Sequence, residues 1–256
     1  MPRSFPVIVC ALLSLAAVRP LFAVDLPDPT GRDFARTFPY SMIGQLLFDS
    51  GRGSFSGSGT VIRPQSVITA GHNLYDINSG WSSRVTFRRS QYGDTTLGER
   101  FPSRILVLAG YQNRVAYNGP ESARTFAVDT GALKFRTFVA EGASAGWSAD
   151  PSLLDGDAYN VALGYGAETH TGDDLLFVEP DRAFDRTVGA FYENKSIYFE
   201  AGMSGGPVFA RDGDGNLWVC ATIVSGSFVP GTRRPLAGGV RVFNPKVADL
   251  INNHLR

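Results

Sequence analysis

Short apolar runs separated by turn residues recur along most of the chain. In the first half they are Met42–Phe48, Gly59–Ile62, Ser66–Ala70, Arg84–Phe87, Ile105–Ala109 and Phe126–Phe135. In the second half they are Tyr159–Gly164, Leu175–Glu179, Ser196–Phe199, Pro207–Ala210, Leu217–Ser225 and Gly239–Phe243. Runs of this length between turn signals are typical of β-strands, and their frequency predicts an all-β barrel or sandwich.

One segment, at the end of the chain, has helical spacing. Asn244 is suited to cap it and Pro245 to its first turn, and apolar residues then recur at helical intervals up to Leu255. We therefore expect a C-terminal helix over 245–255 that docks on the second half. Val139–Asp157, rich in Gly, Ala, Ser and Asp, is the candidate crossing between two lobes.

The first residues have the pattern of a secretory signal. Arg3 precedes the apolar run Phe5–Val18, and a small residue, Ala23, offers a cleavage site. The alternative, an uncleaved anchor, is disfavoured because the run is short for a bilayer. We expect a signal peptide at 1–23, a linker or short pro-segment at 24–38, and a secreted or periplasmic protein without stable membrane association.

Composition adds two constraints. The 256 residues are 43% hydrophobic, and 24 Lys and Arg balance 24 Asp and Glu, so net charge indicates no nucleic-acid partner. The two cysteines are Cys10, inside the predicted signal, and Cys220, inside an apolar run. The mature chain would therefore have no internal disulfide, and Cys220 is expected to be a small buried filler.

A serine among glycines is the first candidate for chemistry. Ser204 stands between Gly202 and the pair Gly205-Gly206, with Pro207 behind. Such a run lets the backbone turn tightly and brings bare N–H groups near the hydroxyl, as an acyl-transfer nucleophile requires. The alternative is a glycine-rich turn between strands.

A histidine and an aspartate are the next candidates. His72 follows the strand-like run Ser66–Ala70 and a glycine, which predicts an imidazole at a barrel edge facing a cleft. Asp129 interrupts the apolar run Phe126–Phe135, where a carboxylate is costly to bury unless paired. A histidine N–H is one possible partner, and a turn cap at a strand end is the alternative. The other histidines, His170 and His254, are expected to be solvated.

These three residues follow one another in the order His, Asp, Ser, and their surroundings resemble a known family. Thr69-Ala70-Gly71-His72, Asp129-Thr130-Gly131-Ala132-Leu133 and Gly202-Met203-Ser204-Gly205-Gly206-Pro207 are similar to the motifs of chymotrypsin-like serine peptidases, in particular the bacterial glutamyl endopeptidases. The resemblance runs from about Pro39 to the last helix and includes Gly57-Ser58-Gly59-Thr60-Val61-Ile62 and Gly164-Tyr165-Gly166.

The resemblance implies two antiparallel six-stranded β-barrels, at about 39–140 and 141–243, with the active site between them and a C-terminal helix, in a peptidase domain over 39–256. It implies that Ser204 attacks the peptide carbonyl, His72 transfers the proton and Asp129 orients His72. The N–H groups of Gly202 and Ser204 would form the oxyanion hole.

The resemblance also places a substrate pocket. One wall would hold Tyr198 and Phe199, and the other would hold Val224, Ser225, Gly226 and Ser227. Glutamyl enzymes carry a histidine where this chain has Val224, so we expect a preference for an apolar or small side chain rather than glutamate.

Two departures from the family pattern stand out. Gly57 and Asn73 occupy positions where many relatives have a disulfide beside the histidine. Met203 stands where trypsin-type enzymes have an aspartate that pairs with the new N-terminal amine. We therefore expect that trypsin-style activation is not used.

The sequence thus predicts a secreted, monomeric serine endopeptidase that acts on peptides or proteins without cofactor or metal. One alternative is a catalytically silent binding protein with the same fold. The other is a serine esterase, but its elbow requires a helix after Ser204, which Gly205-Gly206-Pro207 disfavours. Asp212–Asn216 is similar to the start of a calcium loop but lacks the closing glutamate, which favours a hairpin turn.

Overall fold

The computed structural model describes residues 24–154 and 160–255, so the predicted signal peptide lies outside the described residues. Within them, the strands in chain order are β1 (Asp28–Pro29), β2 (Ile43–Ser50), β3 (Gly53–Arg63), β4 (Ser66–Thr69), β5 (Tyr75–Asp76), β6 (Gly80–Trp81), β7 (Ser83–Arg89), β8 (Gly98–Arg100), β9 (Arg104–Val107), β10 (Gly131–Lys134), β11 (Asn160–Gly164), β12 (Leu176–Val178), β13 (Asp185–Val188), β14 (Phe191–Asn194), β15 (Pro207–Arg211), β16 (Leu217–Phe228) and β17 (Pro235–Val242). The helices are α1 (Arg32–Arg36), α2 (Tyr111–Asn118), α3 (Ala123–Phe126) and α4 (Pro245–Asp249).

The first half of the chain forms one antiparallel sheet, in the order β8-β7-β2-β3-β4-β10-β9. Its centre is the long β2–β3 hairpin, in which Ile43 pairs with Thr60. The inward side chains of Ile43, Leu46 and Val61 are fully buried. Burial of these branched side chains removes apolar surface from water and so stabilises the sheet, which has no disulfide among the described residues.

The second half, together with β1 from the N-terminal segment, forms another antiparallel sheet in the order β1-β12-β11-β15-β16-β17-β14-β13. The two sheets confirm the predicted all-β, two-barrel architecture. They hold seven and eight strands rather than six each. The additional members are short edge strands, such as Gly98–Arg100 and Asp28–Pro29, too short to be distinguished from turns in the sequence.

The C-terminal helix begins where it was predicted, because the Asn244 side chain accepts hydrogen bonds from the N–H groups of Lys246 and Val247. It continues as a π-helical turn over Leu250–His254. Its docking differs from the prediction. Arg63 donates to the carbonyl of Ile251 over 2.9 Å, and Ser66 and Lys134 donate to that of Leu255, so the helix closes the first sheet.

The predicted strand over 126–135 is a second difference. Phe126 ends α3, and the strand itself is only Gly131–Lys134. The helical turn forms because the Ser122 side chain caps it by accepting from Thr125 N. Asp129 therefore lies in the connection that enters β10, not inside a strand. Among the described residues, no helix has both the length and the apolar character needed to cross a bilayer.

Candidate active site

His72 and Asp129 are joined by two hydrogen bonds. His72 lies in the 3-10 turn Gly71–Asn73, directly after β4. Its Nδ1 is 2.7 Å from Oδ2 of Asp129, and its backbone N–H donates to Oδ1 over 2.9 Å. The Asp129 side chain is fully buried, whereas that of His72 is 32% exposed. The aspartate thus holds the ring at Nδ1 and leaves Nε2 for another partner.

This pairing controls the protonation of His72. Burial by itself would lower the pKa of His72, but the charge of Asp129 and its hydrogen bond to the ring outweigh that effect and raise the pKa. A raised pKa means that the site favours imidazolium more than water does. The arrangement therefore suits a base that becomes positively charged when it takes a proton.

The serine loop is the segment 195–206 between β14 and β15. It makes the tight turns that its glycines predicted, with two glycines at positive φ. Gly202 has φ +94° and Gly205 has φ +88°. A Cβ at Gly202 would stand 2.4 Å from the carbonyl oxygen of Tyr165, which no side chain would tolerate. Met203 between them is fully buried, so the chain turns with Ser204 toward the cleft.

The N–H groups of Gly202 and Ser204 have no hydrogen-bond partner among the described residues, whereas that of Met203 donates to Glu200 O over 3.1 Å. Unpaired backbone donors are uncommon in folded proteins and often mark a functional site. These two are available to bind a negatively charged oxygen.

The carbonyls of the same loop are held by the first sheet. The Ser58 hydroxyl donates to Gly202 O over 2.8 Å and accepts from Tyr165 N at the same distance. Ser58 N and the side-chain amide of Asn73 both donate to Ser204 O, over 2.8 and 2.9 Å. The loop is therefore positioned by groups from both halves of the chain. Sequence reasoning included Ser58 in the family resemblance but assigned it no role, because a single serine in a strand is common.

Asn73 occupies the place that a disulfide has in many relatives. A Cβ on Gly57 would stand 2.6 Å from Asn73 Nδ2, so the amide fills the space above Gly57. The same nitrogen also donates to Thr69 Oγ1 over 3.0 Å. A hydrogen-bonded amide thus replaces the covalent link and connects the His72 turn to Ser204.

A buried carboxylate lies at the other end of the loop. Glu200 is 5% exposed, and its oxygens accept from Thr169 N over 3.2 Å, from the Thr169 hydroxyl and from His170 Nδ1 over 3.0 Å. Burial alone would raise the pKa of Glu200, but these hydrogen bonds lower it. His170, expected to be solvated, is therefore a partner of the serine loop. No sequence pattern indicated that Glu200 and His170 would pair.

Most of the candidate residues line a single cleft, which has a volume of about 880 Å³. It is lined by His72, Gly202 and Ser204, and also by Val224, Ser225, Gly226 and Ser227. The side chains of His72 and Ser204 face it without a hydrogen bond between them among the described residues.

Two residues that were predicted to form a pocket wall do not line the cleft. They lie behind the wall that residues 224–227 form. Tyr198 and Phe199 are 5% and 1% exposed. The Tyr198 ring packs on Phe228 with centroids 5.0 Å apart, and its hydroxyl donates to Glu168 over 2.7 Å. Both residues support the wall from the protein interior, where Phe199 packs against Gly238.

Other candidate sites are accounted for. Cys220 is buried, and burial raises the pKa of its thiol to about 12, so it is not a nucleophile. The Asp212 carboxylate accepts from the backbone of Asp214 and Asn216 and from Trp218 Nε1, which forms the expected hairpin turn. No group of three or more metal-ligating side chains is present in the described part of the chain.

Many solved structures have a similar fold, including three that match most of this chain. They are the thermostable serine protease AL20 from an extremophilic microorganism (TM-score 0.66, 21% identity, 84% of this chain and 96% of that one), the protease Anisep from Arthrobacter nicotinovorans (0.64, 16%, 83% and 94%) and a Glu endopeptidase in complex with MPD (0.67, 18%, 91% and 99%).

Sequence comparisons add little to this. No family model matches the chain. A stretch of 96 residues, 37% of this chain, is 35% identical to a probable biofilm formation methyltransferase from Pseudomonas putida, of which it spans 21%. The structures covering most of the chain agree with one another. The chain therefore has the chymotrypsin-like fold that these serine proteases share.

Proposed function

We propose that this protein is a secreted serine endopeptidase that acts as a monomer through Ser204, His72 and Asp129. The observation that carries the proposal is a single cleft that contains a histidine oriented by a buried aspartate, a serine, and two unpaired N–H groups at that serine. Acyl transfer requires these groups together: a nucleophile, an oriented base and donors for the oxyanion.

The reaction begins when a peptide carbonyl enters the cleft beside Ser204. Nε2 of His72 takes the hydroxyl proton as the serine oxygen attacks, and Asp129 stabilises the imidazolium that forms. The carbonyl oxygen becomes an oxyanion, which the N–H groups of Gly202 and Ser204 bind.

The second half of the reaction uses the same groups. The imidazolium gives its proton to the amine that leaves, which produces the acyl-enzyme on Ser204. Water then attacks the ester, with His72 again as the base, and the carboxylic acid product is released. No cofactor is required for these steps.

The substrate side chain before the scissile bond would lie against Val224–Ser227. Val224 is an apolar residue, and the backbone of this strand end is available to pair with an extended peptide. We therefore propose peptide or protein substrates with an apolar or small residue at that position.

A fluorophosphonate probe tests the proposal. It should label the wild-type protein and leave Ser204→Ala unlabelled, with Ser227→Ala, also in the cleft, as the matched control. A folded protein that resists the probe would be a binding protein. Mass spectrometry of a peptide library then separates amidase from esterase activity, and gives the side-chain preference.

A further inference from the structure

A second cavity lies on the opposite side of an apolar cluster from the cleft. Phe126 and Phe191 of this cluster face the cleft, and Ala127 and Val188 face the second cavity. The cavity measures about 600 Å³ and is lined by residues from both halves of the chain. None of the groups proposed for catalysis lines it.

Its lining is strongly cationic. Five of the described lining residues are positively charged, namely Arg114, Arg124, Arg186, Arg241 and Lys246, and none of the described ones carries a carboxylate. Arg114, Arg124, Arg186 and Lys246 are exposed. None of the five forms a salt bridge with a described residue. The zero net charge of the chain conceals this local concentration of positive charge.

Arg241 lies fully buried at the base of the cavity. Its guanidinium donates to Val242 O and, over 3.0 Å, to Asn244 Oδ1, while its Nε has no partner among the described residues. Burial lowers the pKa of Arg241, and the charge of Asp129 opposes this effect. Both oxygens of Asp129 are already bound to His72. A guanidinium stays protonated in proteins, so Arg241 adds a positive charge beneath the cavity, with the buried carboxylate of Asp129 as its counter-charge.

We propose that this cavity binds phosphate- or sulfate-type oxyanions, which bridge the two halves of the chain. The exposed guanidinium groups of Arg114, Arg124 and Arg186 and the ammonium group of Lys246 supply the donors that such groups require. A cavity of about 600 Å³ has room for more than one such group, so the source is either free phosphate or successive units of a polyanion.

Calorimetric titration of the Ser204→Ala protein with inorganic phosphate, in a chloride-free buffer of constant ionic strength, tests the site. We expect saturable binding and a phosphate-dependent rise in melting temperature. The triple variant Arg114→Gln, Arg124→Gln, Lys246→Gln should bind at least tenfold more weakly.

The matched control removes three exposed cations elsewhere, through Arg182→Gln, Lys195→Gln and Arg233→Gln. It should bind phosphate like the parent protein. Absence of saturable binding at millimolar phosphate, or equal weakening in the two triple variants, would overturn the proposal.

A second titration distinguishes free phosphate from a polyanion as the ligand. It uses a short linear polyphosphate at the same concentration of phosphate units. Tighter binding per unit identifies a polyanion, and equal or weaker binding identifies the free ion. Binding is measured without turnover, so the result is independent of the proposed peptidase activity.

Discussion

The hydroxyl of Ser58, on the first sheet, donates to the carbonyl of Gly202, in the serine loop of the second half, over 2.8 Å. Through this bond and its contact with Tyr165 N, one buried side chain connects β3 to the serine loop and to the segment at Tyr165, against which Gly202 packs. The serine loop is thus shaped by a residue from the other half of the chain.

Replacement of Ser58 by Ala should therefore affect both stability and catalysis. The variant leaves Gly202 O and Tyr165 N without this partner, at a cost of about 1–3 kcal/mol in the free energy of unfolding. We expect kcat to fall by about 10- to 100-fold, since small displacements of oxyanion donors are costly. Urea unfolding and steady-state kinetics measure the two effects. Ser54→Ala is the control, because the Ser54 hydroxyl donates to Asp49 at the surface. An equal effect in this control would contradict the role of Ser58 in shaping the serine loop.

The His72–Asp129 pair predicts the pH dependence of activity. Because Asp129 raises the pKa of His72, the acid limb of kcat/KM should have its midpoint above the ordinary histidine value of about 6.5. Activity should rise with pH through that midpoint, as the imidazole becomes neutral.

Asp129→Asn should move the midpoint to lower pH and reduce kcat by about 10⁴-fold. A pH–rate profile of both proteins gives the comparison. The pair should also stabilise the fold fully below about pH 6.5, and this contribution should disappear as pH rises through the raised pKa. An unchanged acid limb in the variant would show that Asp129 does not set the pKa of His72.

Glu200 should support the serine loop through Thr169 and His170. Its lowered pKa means that it stabilises the fold at neutral pH, and that this stabilisation is lost as pH falls below about 4.3. Glu200→Gln should thus be less stable at pH 7, with kcat more affected than KM, and should match the wild type in acid.

Thermal unfolding as a function of pH measures the stability part, with Glu99→Gln as the control, since Glu99 pairs with Arg88 at the surface. A constant difference in melting temperature from neutral to acid pH would show that the charge of Glu200 is not what holds the loop.

Val224 should determine the preference before the scissile bond. The wild type should cleave after apolar or small residues better than after glutamate, because the wall offers no cation there. Val224→His should increase kcat/KM for a glutamate substrate by about tenfold relative to an alanine substrate, since its imidazole supplies a hydrogen-bond donor to the substrate carboxylate. Competition between matched peptides measures the ratio. Val229→His, outside the cleft lining, should leave it unchanged, and a wild-type preference for glutamate would refute the expectation.

The sequence predicted the fold class and the candidates His72, Asp129 and Ser204 from local signals. Apolar runs mark strands, and glycines beside Ser204 mark a backbone that only glycine adopts. Ser58 and Glu200 could not be predicted, because their importance comes from contacts across distant parts of the chain, and single polar residues in strands or loops are common. The placement of Tyr198 and Phe199 behind the pocket wall likewise depends on packing with Phe228 and Gly238, which spacing does not reveal.

The bonds from Ser58 and Asn73 to the serine loop have a consequence for the order in which activity appears and disappears. A nascent chain whose first half has already folded would contain the histidine and aspartate but no shaped nucleophile, and would remain inert until synthesis is complete. On gentle heating, slight separation of the halves would inactivate the protein before either sheet melts. Residual activity should therefore fall at a lower temperature than the circular dichroism signal of the strands.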